Sequence, residues 1–173
     1  MEYKNIFHVG DSAVRYVLSN QSKNPLLVFG INPSTADDKK PDRTIKKVMG
    51  FANRNGFDGF IMLNLYPQRT PNTNELHAEL DEKLMQENLK QIELALKDIP
   101  NPTILAAWGN PIRQRKYLKE CVKQIHYLTK GKNVKWQQIG KLTVQGNPRH
   151  PLYARYTDGL CEFEVEQYVE KLK

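Results

Sequence analysis

The chain has 173 residues, with 26 Lys and Arg against 19 Asp and Glu, for a formal net charge of +7. That length suits one domain over residues 1–173 and is too short for two comfortable ones, while the basic balance favours anionic partners, nucleic acid or a nucleotide foremost. Two distant cysteines, Cys121 and Cys161, exclude an all-thiolate iron–sulfur cluster in one chain, and the lack of an apolar leader or bilayer-length run points to a cytoplasmic protein with no membrane partner.

Arg15-Tyr16-Val17-Leu18-Ser19 reads as a short strand, joined through the turn residues 20–25 in a hairpin to the strand Leu26-Leu27-Val28-Phe29-Gly30. The polar stretch Asn32-Pro33-Ser34-Thr35-Ala36-Asp37 follows. Asp42 is placed to cap a helix from Arg43, whose Ile45, Val48, Met49 and Ala52 recur at helical spacing until Gly56 ends it. Residues 57–66 form a second apolar strand carrying Asn64 near its far end, and residues 68–75 a polar loop. Residues 81–98 are the clearest helix, stopped by Pro100 and Pro102. Residues 103–109 form a third strand, again ending in glycine, and Asn110-Pro111 fits the first turn of a helix running to about residue 128. Residues 134–139 alternate like a strand, residues 142–144 suggest another, and residues 163–173 form a short amphipathic helix. Strands alternating with helices imply a three-layer α/β/α domain with a mostly parallel central sheet.

Ligands of such sheets bind at the carboxyl ends of the strands. Asn32, Asn64, Gly109 and the loop around His150 therefore form one candidate set. Each has a blander reading. An Asn after a strand is more often a turn former, a His beside prolines is more often a satisfied loop residue, and Trp108 belongs first to the core. Asp42 is first a helix cap, Asp37 a solvated carboxylate, and Lys39-Lys40 and Lys46-Lys47 solvated charge. Neither a P-loop nor a serine nucleophile elbow is present.

Gly30-Ile31-Asn32-Pro33 resembles the Gly-x-Asn-Pro signature of the mismatch-specific branch of the uracil-DNA glycosylase superfamily, which carries its water-positioning residue at the Asn. Leu63-Asn64 resembles the element whose Asn reads the extruded base. Ala107-Trp108-Gly109 is similar to the strand end of another branch, and His150-Pro151-Leu152 resembles the closing His-Pro motif, whose His supports charge on the departing base. More closely, Asn32-Pro33-Ser34-Thr35-Ala36-Asp37, Asp42-Arg43-Thr44-Ile45, Ala107-Trp108-Gly109 and Gly146-Asn147-Pro148-Arg149-His150-Pro151-Leu152-Tyr153 resemble the bacterial domain of unknown function 1643 family.

These resemblances imply a uracil-DNA glycosylase-like fold and a hydrolase for the N-glycosidic bond of a modified or deaminated base, without metal or cofactor. Asn32 and His150 would be catalytic, with Asp37 or Asp42 as a nearby carboxylate. Gly30, Ile31, Pro33, Ser34, Asn64, Trp108, Gly109, Asn147, Arg149, Leu152 and Tyr153 would hold the substrate, and Arg149, Lys39, Lys40 and Arg69 would contact phosphates. Ser34 departs from both branches, and Leu152-Tyr153 replaces the usual Ser-Pro. The alternatives are a binding module of the same fold that holds a base, nucleotide or nucleic-acid end without cutting it, and catalysis on a free nucleoside or nucleotide.

Overall fold

Residues 26–29, 60–63 and 104–107 are apolar without a polar alternate because both faces of their strands are covered. In the computed structural model, which describes residues 1–172, they form the middle of one sheet. Its strands are β1 (Ile6–Gly10), β2 (Arg15–Asn20), β3 (Pro25–Gly30), β4 (Gly59–Asn64), β5 (Thr103–Ala106), β6 (Lys135–Ile139) and β7 (Leu160–Glu162), in the spatial order β1-β2-β4-β3-β5-β6-β7. The middle four run parallel, and the outer strands on both sides are antiparallel to their neighbours.

Alternate residues of the middle strands feed two cores. Leu26, Val28, Met62 and Leu105 pack with Ile45, Val48 and Phe51 of α1 (Arg43–Arg54). Leu27, Phe29, Leu63 and Ile104 pack on the other face with α2 (Glu82–Leu96), α3 (Tyr117–Thr129) and α4 (Val165–Lys171), through residues such as Ile92, Ile125 and Tyr168. Helices thus lie on both faces of a mixed sheet that is parallel in its middle. None of the described helices is long and apolar enough to cross a membrane.

Local chemistry fixes the helix ends. Asp42 accepts from the Ile45 N–H at 2.8 Å, and Asp81 from the Leu84 N–H at 3.0 Å, each satisfying a donor that the helix itself leaves open. Past α1 the chain turns through Gly56, at φ +81°, and the Phe57 N–H closes back on the Ala52 carbonyl.

The expected hairpin between residues 15–19 and β3 is absent. Both edges of β3 are taken by parallel partners, β4 and β5, so β2 pairs instead with β1 and the far side of β4. The turn between β2 and β3 passes the amino end of β4, where Asp58 accepts from the N–H groups of Lys23 and Asn24. The single helix expected over residues 110–128 is two pieces. A 3-10 turn, Asn110–Gln114, precedes α3, and Arg115 between them is extended at φ −134° and ψ 131°. Its guanidinium donates to the carbonyls of Asn74, Leu76 and His77, which pulls the backbone out of helix. Residues 142–144 form no strand, because Thr143 and Asn147 close a turn there and β7 takes the free edge of β6.

Candidate functional site

The chain leaves β3 through α1 towards β4 and leaves the adjacent β5 through α3 towards β6, so the connections after these two neighbouring strands run in opposite directions across the sheet. A crevice opens at such a switch point, outside the carboxyl ends of the strands. A cavity of about 810 Å³ lies there. Its lining includes Gly30, Ile31, Asn32 and Ser34 after β3, Asn64 at the end of β4, and Trp108 and Gly109 after β5. The loop before and after His150 closes it, contributing Arg149, His150, Leu152 and Tyr153.

Two glycines make the approach possible. A Cβ at Gly30 would lie 2.7 Å from Met62 Cε and 3.1 Å from the Asn64 side chain. Gly109 has φ +65°, a region that side chains disfavour, and a Cβ there would meet the His150 Cβ at 3.2 Å. Any larger residue at either position displaces a neighbouring group of the site.

Asn32 is held by its amide nitrogen. Nδ2 donates to the carbonyls of Pro33, Gln68 and Thr70 at 3.0, 3.2 and 2.8 Å. The donor half of the amide therefore faces the 68–70 loop, and Oδ1, with no donor among the described residues, is left to accept from a water or ligand. Asn64 is 1% exposed and braces this turn. With its amide set so that both ends meet complementary groups, Nδ2 donates to the Asn32 carbonyl at 3.2 Å and to the Leu63 carbonyl at 3.3 Å. Asn88 of α2 reaches under the same strand end, donating to the Asn64 carbonyl at 3.0 Å.

His150 is fixed as a donor. Its Nδ1 accepts from the Leu152 N–H at 3.2 Å, so the proton of the neutral ring sits on Nε2. Burial pushes its pKa down to about 4, against a weaker upward pull from Asp42, and the ring is neutral at physiological pH. Asp42 is the only carboxylate among the residues lining the cavity. One of its oxygens caps α1, and the other has no hydrogen-bond partner among the described residues.

Three of the expected catalytic and substrate-holding residues lie outside the cavity lining, as do the expected phosphate contacts Lys39, Lys40 and Arg69. Asp37 is in a second depression with Asp11, Arg69 and Arg15, the last of which also lines the cavity, and its Oδ1 accepts from the Lys39 and Lys40 N–H groups, which holds its carboxyl below the usual range. It is a turn-forming carboxylate outside the cavity lining whose charge still acts on Arg15. Asn147 is buried, donating to Asn110 Oδ1 at 3.1 Å and accepting from the Tyr168 hydroxyl at 2.9 Å, and so braces the loop from behind. Pro33 is buried and contributes its carbonyl to Asn32. Trp108 is fully buried in an aromatic cluster with Trp136, Phe163 and Tyr168, yet its position after β5 also makes it part of the cavity wall. Of the expected phosphate contacts, Lys39 and Lys40 are exposed in the 37–40 turn, Arg69 donates to the Asp11 and Ala36 carbonyls, and Arg149 donates to the Lys141 carbonyl at 2.7 Å.

Sequence reading passed over Arg15, Thr44, Thr70, Asn110 and residues 143–145, all of which line the cavity. Arg15 is the consequential one. It opens β2, and the antiparallel run of β2 against β4 carries it to the carboxyl edge of the parallel strands. A lone charge at the start of an apolar strand was the available signal.

Fold and cavity together define an α/β protein with a cavity at the carboxyl edge of a parallel sheet core. Residues 15–152 match the family described as protein of unknown function (DUF1643), and the chain belongs to that family. No curated protein and no solved structure matches the chain.

Proposed function

We propose that the chain is a uracil-DNA glycosylase-like hydrolase, cleaving the N-glycosidic bond of a modified or deaminated base in nucleic acid. The observation that carries this reading is the pairing of two oriented groups in one cavity. His150 offers an Nε2–H from a ring kept neutral, and Asn32 offers an amide oxygen whose nitrogen is tied away. Reaction breaks the bond between sugar carbon and base nitrogen, with the electron pair leaving on the base. His150 Nε2–H donates to a base oxygen as that charge builds, the kind of preorganised stabilisation that removes several kcal/mol from a barrier. A water accepted by Asn32 Oδ1 bonds to the sugar carbon. Its proton passes to the free oxygen of Asp42, since an amide is too weak a base to take it. The base must leave the stack to enter, and the basic surface supplies affinity for the backbone.

One observation favours the binding-module alternative. Asp42, the carboxylate asked to take the proton, already serves as the cap of α1. Base release from oligonucleotides carrying uracil, hypoxanthine, xanthine or a mismatch, single- and double-stranded, separates the two, with Asn32→Ala and His150→Ala alongside. A glycosylase releases a base, and release drops by about 100-fold or more in each variant. Salt-sensitive binding without release from any substrate assigns the chain to the non-catalytic class.

A further inference from the structure

Arg15 is 3% exposed, lines the cavity, and is in no ion pair among the described residues. Its Nη1 donates to the Ala36 carbonyl. Nε is buried without a partner, and Nη2 has none among the described residues. Nε is sealed off, so Nη2 is the donor left to meet a ligand oxygen. The chain places a second cation beside it where a counter-charge would be expected: Arg69 donates to the same Ala36 carbonyl at 3.3 Å. Burial, and after it the Arg69 charge, push the Arg15 guanidinium down to about 10, against weaker upward pulls from Asp42, Tyr3 and Asp37. One carbonyl and carboxylates beyond ion-pair distance compensate this buried charge only in part, and a ligand anion is the partner that completes it.

We infer that Arg15 is the anion seat of this cavity and that the ligand carries a terminal phosphate onto it, as a nucleoside monophosphate or the phosphorylated end of a strand does. The phosphate is terminal because the guanidinium is enclosed. A phosphodiester in mid-strand needs two exits for its chain, whereas a monoester needs one. Ser34 and Thr44 line the same cavity, and a hydroxyl is a neutral donor suited to the remaining oxygens. The inference deepens the nucleotide-directed reading above and rests on it for the base, but the phosphate seat itself does not depend on cleavage.

Calorimetric titration of the unaltered chain tests it, with the nucleosides of uracil, hypoxanthine and xanthine against their 5′-monophosphates at matched ionic strength. A second pair, one oligonucleotide with 5′-phosphate and with 5′-hydroxyl, identifies the source of the phosphate. The phosphorylated member of at least one pair binds about ten-fold tighter or more, the scale of a charge-assisted contact. Inorganic phosphate competes, and raises the melting temperature of the unaltered chain but not of Arg15→Met. Equal binding of phosphorylated and unphosphorylated members in both pairs overturns the inference, as does a phosphate response undiminished in a folded Arg15→Met; if that variant does not fold, the comparison on the unaltered chain decides. Base release without any phosphate response leaves the glycosylase reading standing and ends this one, and a phosphate response without release does the reverse.

Discussion

His150 shows how one side chain is set for a single task by two neighbours. The Leu152 N–H fixes which nitrogen carries the proton, and burial decides that the ring holds only one. A histidine in water titrates near 6.5, so the depressed value of about 4 has a consequence for folding as well. As pH falls, the unfolded chain takes up this proton first. The contribution to stability is therefore whole above about pH 6.5 and is lost progressively as pH falls from there towards 4. At full extent it is on the order of 3 kcal/mol, from about 1.36 kcal/mol per pH unit of displacement. In proton NMR, the resonance that disappears in His150→Gln keeps its neutral shift down to about pH 5. An inflection near 6.5 in that resonance would remove the donor assignment, and with it the proposed support of the leaving base.

At the scale of an element, α1 joins fold and site through Asp42. An acid just ahead of an apolar period of 3.6 residues was readable in the sequence, because capping is local chemistry. That Asp42 also faces the cavity was not readable with equal force, since it depends on where the Asn32 turn and the His150 loop come to rest. Its two roles separate by substitution. Asn caps about as well as Asp, whereas Ala leaves the Ile45 N–H without its partner. Asp42→Asn is expected to keep stability within about 0.5 kcal/mol, and Asp42→Ala to lose about 1 kcal/mol in urea unfolding. Both lose base release if the carboxylate takes the water proton. Turnover retained by Asp42→Asn would leave Asp42 as a cap alone. Arg15 is the counterexample in legibility. The expected hairpin with β3 would also have set Arg15 at the carboxyl ends of the strands, but beside Gly30; pairing on the far side of β4 places it one strand over. Strand order depends on which edges other strands have already taken, and here β4 and β5 take both edges of β3.

Across the whole molecule, the site is held by parts of the chain that are far apart in sequence, and that is why its pieces were legible singly and its bracing was not. The Trp108 indole N–H donates to the Tyr168 hydroxyl at 3.0 Å, which donates to Asn147 Oδ1 at 2.9 Å. Asn147 Nδ2 donates to Asn110 Oδ1, which also receives the Thr143 hydroxyl. The network ties α4 to the strand end after β5 and to the loop that presents His150. The tail was read only as an amphipathic helix, because nothing local marks a tyrosine as the bridge between two loops. Tyr168→Phe keeps the ring packing against Trp108 and Phe163 but strips both buried partners of their hydrogen bonds. An unsatisfied buried polar group costs about 1–3 kcal/mol, so the pair costs about 2–5 kcal/mol and roughly 5–15 °C in melting temperature for a chain of this size. Tyr117→Phe is the control. Its hydroxyl bonds the His77 carbonyl at a more exposed place, where water replaces it. Thermal unfolding of both variants, with phosphate and nucleotide binding measured on each, separates bracing from packing. Tyr168→Phe should lose melting temperature and ligand affinity together, because the His150 loop loosens at its root. Equal losses in the two variants would show that the tyrosine packs the core and does not hold the site.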